Sequence, residues 1–508
     1  MLRAFGQPSR ASPWNSEELL REELFSVERL EQHGRSLAAA QPVSAERLRG
    51  RSLVARLQDN ARVLLAAYRD IASAVHAGRP ITPAAEWLLD NYHVIEEQIR
   101  EIRVDLPPGF YRELPKFADG HFAGYPRVFS VAWAYVAHTD SRFDPETLRR
   151  FVHAYQSVQP LTIGELWAVA ITLRVVLVEN MRRAAQRIVS SRIARQEADA
   201  IADRLLGVNG QLADPDALVR AHGDVSAVPA AFVVQLTQRL RDQDPTLTPA
   251  LVWLENHLSA RHTTADQVVH EELQRQGASN VTVRNIITSM RLISDVDWAE
   301  FFESVSLVDE VLRSGSDFAR LDFATRNLYR GAIEKLARSS KLTEVQIAEA
   351  AIAATQHQDA SVEERARDPG YHLIATGRRA FEAVIGYRPS IWARVARFNT
   401  TIGALDYIGG VLLTSALILL AALLALDAST VFGRLLPLFA LLGVVPAIDM
   451  AVALWNRVVT RRIDATILPA LALREGVPAA LRTMVVVPTL LTTQRAVDEE
   501  LERLEIHY

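Results

Sequence analysis

From about Ala45 onward, apolar residues recur three, four or seven positions apart, and period-two alternation is nearly absent. That spacing places them on one face of a 3.6-residue helix, so the chain is expected to be mainly α-helical. Leu53, Leu57, Leu64, Tyr68, Ile71 and Val75 form one such stripe, which Gly78 and Pro80 end. The next helix should start at Thr82-Pro83, with threonine as cap and proline in the first turn, and carries Leu88, Tyr92, Ile95, Ile99 and Ile102. Asp144-Pro145 and Thr248-Pro249 repeat the start signal, and Thr162 with Glu165 has capping-box spacing before a long apolar stretch. Arg174 in the middle of that stretch marks a core helix of a folded domain, not a membrane span. Residues 82–88 and 248–254 resemble each other (TPAAEWL and TPALVWL), which a duplicated module or shared helix-start chemistry explains equally well.

Two later stretches break the amphipathic rhythm. Residues 407–426 (YIGGVLLTSALILLAALLAL) run for about 20 positions without a charge, enough to cross the hydrocarbon core of a bilayer. A second stretch, 435–454, is of similar length and contains Pro437, Gly443, Pro446 and Asp449, with the acid near its end as an interfacial group. The short link between them predicts an antiparallel transmembrane hairpin. Arg388, Arg394, Arg397, Arg457, Arg461 and Arg462 flank it against Arg434 alone in the link, which places both long flanks in the cytoplasm. Residues 1–17 hold no apolar core of signal-peptide length, so no export signal is expected there.

Composition narrows the chemistry. A length of 508 residues suggests about three folding units. With 56 basic and 60 acidic side chains and a net charge of -4, the chain is neither a strongly basic nucleic-acid binder nor an acidic disordered polymer. Only three of the basic residues are lysines, a bias that fits a GC-rich genome better than a phosphate-binding surface. The absence of cysteine excludes disulfides, thiolate metal sites and cysteine nucleophiles. The His270-Glu271-Glu272 run lacks the second histidine of a zinc protease, and neither a Walker loop nor a GxGxxG turn occurs. Asp242/Asp244 and Asp295/Asp297 mimic a D-x-D metal motif, but neither follows a strand, so helix-end or turn roles are expected and no metal site is assigned. The segment VDLPPGFYRELPKFADGHFAGYPR, up to Arg127, interrupts the helices with aromatic, proline and glycine residues. Its Tyr111, Arg112, Asp119, His121, Tyr125 and Arg127 are candidates for contact with a sugar or a partner, and equally for simple packing and pairing.

Near the C-terminus the pattern changes again. Residues 484–491 (MVVVPTLL) form a β-branched run, and Ala496 to Ile506 reads as a helix. Strand, turn and helix in that order make the first unit of an α/β nucleotide-binding domain. The sequence stops at Tyr508, after that one unit, which cannot form a parallel sheet alone.

Five stretches together resemble the N-terminal region of bacterial cyclic β-1,2-glucan synthases: Ala84–Lys116, Leu161–Arg183, Asn285–Arg313, Leu321–Arg330 and Met484–Tyr508. The resemblance implies a membrane-anchored portion of an inner-membrane enzyme that polymerises glucose from UDP-glucose with a divalent metal, this chain having no cofactor of its own. It implies a multi-pass protein in the bacterial inner (cytoplasmic) membrane, the growing β-1,2-glucan as a partner, and glycosyltransferase and phosphorylase-like domains supplied in cis or in trans. The D-x-D site, the catalytic aspartate and the Gln-x-x-Arg-Trp pattern of the family would lie downstream, so the chain is expected to be inactive alone. Of the family's functional positions only Pro488 and Thr489 carry over, as the edge of the donor-nucleotide site; Pro488 ending a strand is the plain alternative. The expected architecture is mainly α: an N-terminal segment (1–44), a helical cytoplasmic domain (45–398), the hairpin (399–456), and a linker with the first β-α unit of an incomplete α/β glycosyltransferase domain (457–508). The competing function is a non-catalytic helical scaffold that docks a separately encoded glycosyltransferase.

Overall fold

The computed structural model describes residues 18–40, 50–206, 208, 229–240, 248–259, 262–356, 364–389, 404–427, 435–462, 468–473, 476–483 and 493–507. Two compact units divide the chain between Glu310 and Val311.

In the first unit α1 (Val27–Ala40), α2 (Leu53–His76), α3 (Pro83–Asp90), α4 (Tyr92–Asp105) and the short α5 (Pro108–Glu113) lead into α6 (Arg127–His138) and α7 (Pro145–Gln156). A 43-residue helix, α8 (Ile163–Leu205), is the axis against which α2, α3, α4 and α6 pack. Next come α9 (Ala230–Leu240), α10 (Thr248–Ser259), α11 (Ala265–Asp295) and α12 (Trp298–Val305); α13 (Leu307–Gly315) spans the division between the units.

Local chemistry sets these boundaries. Thr162 Oγ1 accepts from the Glu165 amide at 3.2 Å while Glu165 returns a carboxylate oxygen to the Thr162 amide at 2.9 Å, closing the capping box at the start of α8. Thr82 and Asp144 cap α3 and α7, each followed by proline in the first turn. Gly78, at φ +66°, takes the left-handed conformation beyond the end of α2. The stripe that reads as one helix across Leu88–Ile102 is broken at Asn91, whose side chain bonds back to the Trp87 carbonyl at 2.8 Å; Leu88, Ile95 and Ile102 remain buried across the break. From Ile163 to Ala185 nearly every residue of α8 is buried, Arg174 included, so the charged residue lies in a protein core.

One position in that core is poorly satisfied. Asn60 lies on α2 in line with Leu57 and Leu64, is 0% exposed, and neither amide atom has a hydrogen-bond partner among the described residues. A buried amide without partners carries its full desolvation cost. Replacement by leucine, which has the same branched outline and no polar atom, should raise stability by about 1–2 kcal/mol, seen as a higher thermal midpoint of the helical circular-dichroism signal. A lower midpoint would show that the amide is bonded in the folded protein.

The second unit continues with α14 (Phe323–Ala337), α15 (Glu344–Gln356), α16 (Pro369–Leu373) and α17 (Arg378–Val384), whose Ile333, Leu336, Ile347, Ala351 and Leu373 form its core. Tyr329 Oη donates to Asp368 at 2.5 Å, and Asp368 also caps α16 through the Gly370 amide. The segment around Leu471 is tied to this module: Ala470 N donates to Thr325 Oγ1 at 2.8 Å, and Ala472 N donates to the Arg320 carbonyl at 2.8 Å.

Two long apolar helices follow, α18 (Ala404–Asp427) and α19 (Leu436–Arg462). They run antiparallel: Tyr407 Oη donates to Asn456 at 2.9 Å and Trp455 Nε1 to Thr414 at 3.0 Å. Gly410 admits the Trp455 ring, which a Cβ there would meet at 2.3 Å, the close approach that small residues allow between apolar helices. Each is long and apolar enough to cross a membrane, and only 11% of each apolar window is buried within the protein. A core helix of a soluble domain would bury most of that surface, so the pair supports membrane association.

The expected β-α unit is not found. Among the described residues there is no β-strand and no sheet, only isolated bridges between Lys116 and Pro126 and between Leu321 and Leu471. The last helix, α20 (Gln494–His507), exposes Leu501 at 58%, whereas a helix of an α/β domain buries such a residue against its sheet. Residues 484–491, including Pro488 and Thr489, lie outside the described residues. The described residues thus hold no sheet that a strand could join, and the fold is mainly α-helical throughout what is described.

Candidate functional site

The aromatic segment between α4 and α6 folds into a tight loop pinned at both ends. Phe117 N donates to the Tyr125 carbonyl at 3.2 Å and Gly124 N to the Phe117 carbonyl at 2.9 Å, with Gly120 and Gly124 at positive φ making the turns. Three of the six candidate residues face inward. Tyr111 is buried and donates to the Arg51 carbonyl; burial, with Tyr125 adding to it, pushes its phenol well above the ordinary value. Tyr125 is 3% exposed and lies beneath the Arg51 guanidinium. Arg127 reaches Glu165, with Nε 2.8 Å from Oε1 and Nη2 on Oε2, and also donates to the Pro160 carbonyl at 3.0 Å. Burial works against the Arg127 charge, but the Glu165 carboxylate outweighs it and holds the guanidinium above its ordinary pKa. The same carboxylate closes the α8 capping box, so Arg127 fastens the loop to the start of the central helix. Lys116 is spent likewise on the carbonyls of Tyr111, Arg112 and Leu114 at 2.9–3.1 Å, and burial lowers its pKa.

The other three candidates face outward and do not converge. Arg112 donates to the Pro108 carbonyl at 3.2 Å on an exposed turn, while Asp119 and His121 stand exposed, His121 edge-on to Phe122.

The beginning of the same segment does help to build a cleft, of about 420 Å³, within the range of roughly 300–1,000 Å³ usual for small-molecule sites. Asp105, Pro107 and Phe110 form one wall, where α4 gives way to α5. Trp167, Ile171 and Arg174 supply the opposite side from successive turns of α8, and Trp298 closes it from the start of α12. Each large group is held by its own partners. Trp167 stacks on Phe302 with ring centroids 4.4 Å apart and planes at 12°. Trp298 donates its indole N–H to the Ile293 carbonyl at 2.8 Å and meets Phe301 edge-on at 5.2 Å. Arg174 is only 8% exposed; its Nη2 lies 3.0 Å from Glu101, its Nη1 3.7 Å from Asp105, and its Nε donates to Gln98 at 3.1 Å. Asp105, about half exposed, thus presents an anchored carboxylate to the cleft.

Trp167, Arg174 and Trp298 are not legible as site residues in the sequence. The seven-residue spacing of Trp167 and Arg174, which puts both on one helix face, is the signal that could have joined them; nothing local ties them to Trp298. Of the two D-x-D pairs, the described one, Asp295/Asp297, sits at helix ends. Asp295 ends α11, and Asp297 caps α12 by accepting from the Ala299 and Glu300 amides at 2.9 and 3.1 Å. Asp242 and Asp244 lie outside the described residues, and among the described residues no three histidine, aspartate or glutamate side chains gather as a metal site.

Fold and cleft together define a helical polypeptide with a membrane-length hairpin and an aromatic-walled cleft. In sequence the chain is similar to the cyclic beta-(1,2)-glucan synthase NdvB of Rhizobium meliloti (strain 1021), with 37% identity over 495 residues. That match covers 96% of this chain and 17% of the synthase, so the chain is homologous to one part of a much larger protein, and the family resemblance carried by the sequence motifs is confirmed. No protein-family model matches the chain.

Proposed function

We propose that this chain is the N-terminal, membrane-anchored portion of a cyclic β-1,2-glucan synthase, inactive by itself, whose polymerising chemistry uses UDP-glucose and a divalent metal in domains beyond it. The observation that carries this reading is the 37% identity to NdvB across nearly the whole chain. The apolar hairpin supports an anchor in the inner membrane, and the arginines flanking it favour both long flanks in the cytoplasm. The helical units then serve the glycosyltransferase and phosphorylase-like domains as a base on the membrane and stand near the growing glucan.

Membranes carrying this chain alone should incorporate no label from UDP-[14C]glucose, and membranes in which the remaining part of the related synthase is co-expressed should incorporate it into glucan. Label incorporated by the chain alone would overturn the inactivity. Incorporation that depends instead on a transferase of unrelated sequence would favour the scaffold reading.

A further inference from the structure

We propose that the cleft between Trp167 and Trp298 binds an uncharged oligosaccharide, a segment of the glucan chain. The class of ligand follows from the chemistry of the walls. Two indoles and the Phe110 ring offer broad π-faces whose negative quadrupole attracts the positively polarised C–H groups on the flat side of a pyranose ring. Beside them stand Asp105, whose two carboxylate oxygens can each accept a bond from one of a pair of neighbouring hydroxyls, and the Arg174 guanidinium, which holds that carboxylate in place. Apolar faces flanked by planar bidentate groups suit a sugar, which is apolar above and below its ring and hydroxylated at its rim.

Charge separates this ligand from a sugar nucleotide. A diphosphate calls for cations or helix amides free to neutralise it. Arg174 is already shared between Glu101 and Asp105, and among the described residues lining the cleft it is the one basic side chain, so one cation faces two carboxylates and the excess charge is negative before any ligand enters. The rings are also fixed before binding, Trp167 by Phe302 and Trp298 by its bond to Ile293, which limits the ordering cost of stacking. Assignment of the sugar as β-1,2-linked glucose rests on the proposed reading above; the oligosaccharide class rests on the cleft.

The test is isothermal titration calorimetry of the full 508-residue chain in detergent with linear β-1,2-gluco-oligosaccharides, cello-oligosaccharides of equal length, and UDP-glucose. Saturable heat with the β-1,2 series, weakened at least tenfold in Trp167→Ala and in Phe110→Ser but unchanged in Trp87→Phe, is the expected result. Phe110→Ser guards against a folding defect, because Phe110 sits half-exposed on the short α5 whereas Trp167 supports Phe302. No saturable binding of either saccharide, binding of UDP-glucose alone, or binding indifferent to both substitutions would overturn the site and leave the cleft a packing surface for polypeptide. Equal binding of both linkages would uphold the oligosaccharide class and overturn its assignment to β-1,2-glucan. Because the saccharide titrations contain no sugar nucleotide, they are independent of the incorporation assay, in which turnover by the chain alone would sink the proposed reading without touching the cleft.

Discussion

Replacing Glu179 by leucine should lower the stability of the first helical unit by about 3–5 kcal/mol, the cost usual for removing one partner of a buried ionic cluster. Glu179 is 0% exposed on α8 and is met by three arginines: Arg56 with Nε and Nη2 both at 3.1 Å, Arg182 at 2.8 Å and Arg183 at 3.0 Å. Burial alone would raise the carboxyl pKa, but the hydrogen bonds from Arg56 and Arg182 outweigh it and hold the group below the ordinary carboxylate range. Without the carboxylate, Arg182 and Arg183 would remain as buried cations with their main acceptor gone. Arg183 also donates to the Glu18 carbonyl at 2.9 Å, and the neighbouring Asn180 bonds both the amide and the carbonyl of Leu20, so the entry of the chain should loosen as well. In urea, at the usual slope of about 1–3 kcal/mol per molar, the unfolding midpoint should fall by about 1 M or more. Glu271→Leu, which breaks an exposed pair with Arg275, should change stability by about 0.5 kcal/mol or less. The pH dependence carries the sign of a depressed carboxyl. Its stabilisation is complete above the unfolded value of about 4.3 and is lost as pH falls through the lower folded value. The variant should therefore show a flatter stability profile below about pH 4 than the parent. A loss of less than about 1 kcal/mol, or an unchanged acid limb, would mean that the cluster is not an ionic keystone.

Why that cluster escapes a reading of the sequence is itself physical. Glu179, Arg182 and Arg183 are spaced three and four apart on a helix, which is also the spacing of a solvated ion-pair face, and only Arg56, 123 residues away, reveals that the face is inside. Capping chemistry is local and therefore legible: Thr82, Asp144 and the Thr162/Glu165 box all start helices where their spacing puts them. The aromatic loop stands out because it breaks the helical period, but period does not say which side chains face outward. Tyr111, Tyr125 and Arg127 turned inward because the loop needs fastening, and the cleft beside it draws Trp167 and Trp298 from positions 131 residues apart. The expected β-α unit failed for a related reason: a strand is defined by its ladder partners, and β-branched composition supplies none of them.

The hairpin yields the other large effect. Arginine in place of both Leu417 and Leu441 should shift the chain out of the membrane fraction that resists carbonate extraction. Both leucines are exposed in the structure, at 57% and 72%, and both lie within the apolar windows of α18 and α19. On the insertion scale an arginine at the centre of a spanning helix costs about 2.5–3.5 kcal/mol; Leu417 is central in its window and Leu441 lies nearer an end, so the pair together opposes insertion by more than that single cost and by at most about 5–7 kcal/mol. Contacts between the helices do not compensate, because the polar bonds that join them, Tyr407 to Asn456 and Trp455 to Thr414, cluster at one end and leave the outward faces to the surroundings. Val384→Arg is the matched control: Val384 is 82% exposed on α17, outside both windows, and should leave fractionation unchanged. If the double variant stayed with the membrane while retaining its helical signal, the apolar faces of α18 and α19 would have to be covered by protein, and the hairpin would be an interface between polypeptides and not an anchor in lipid.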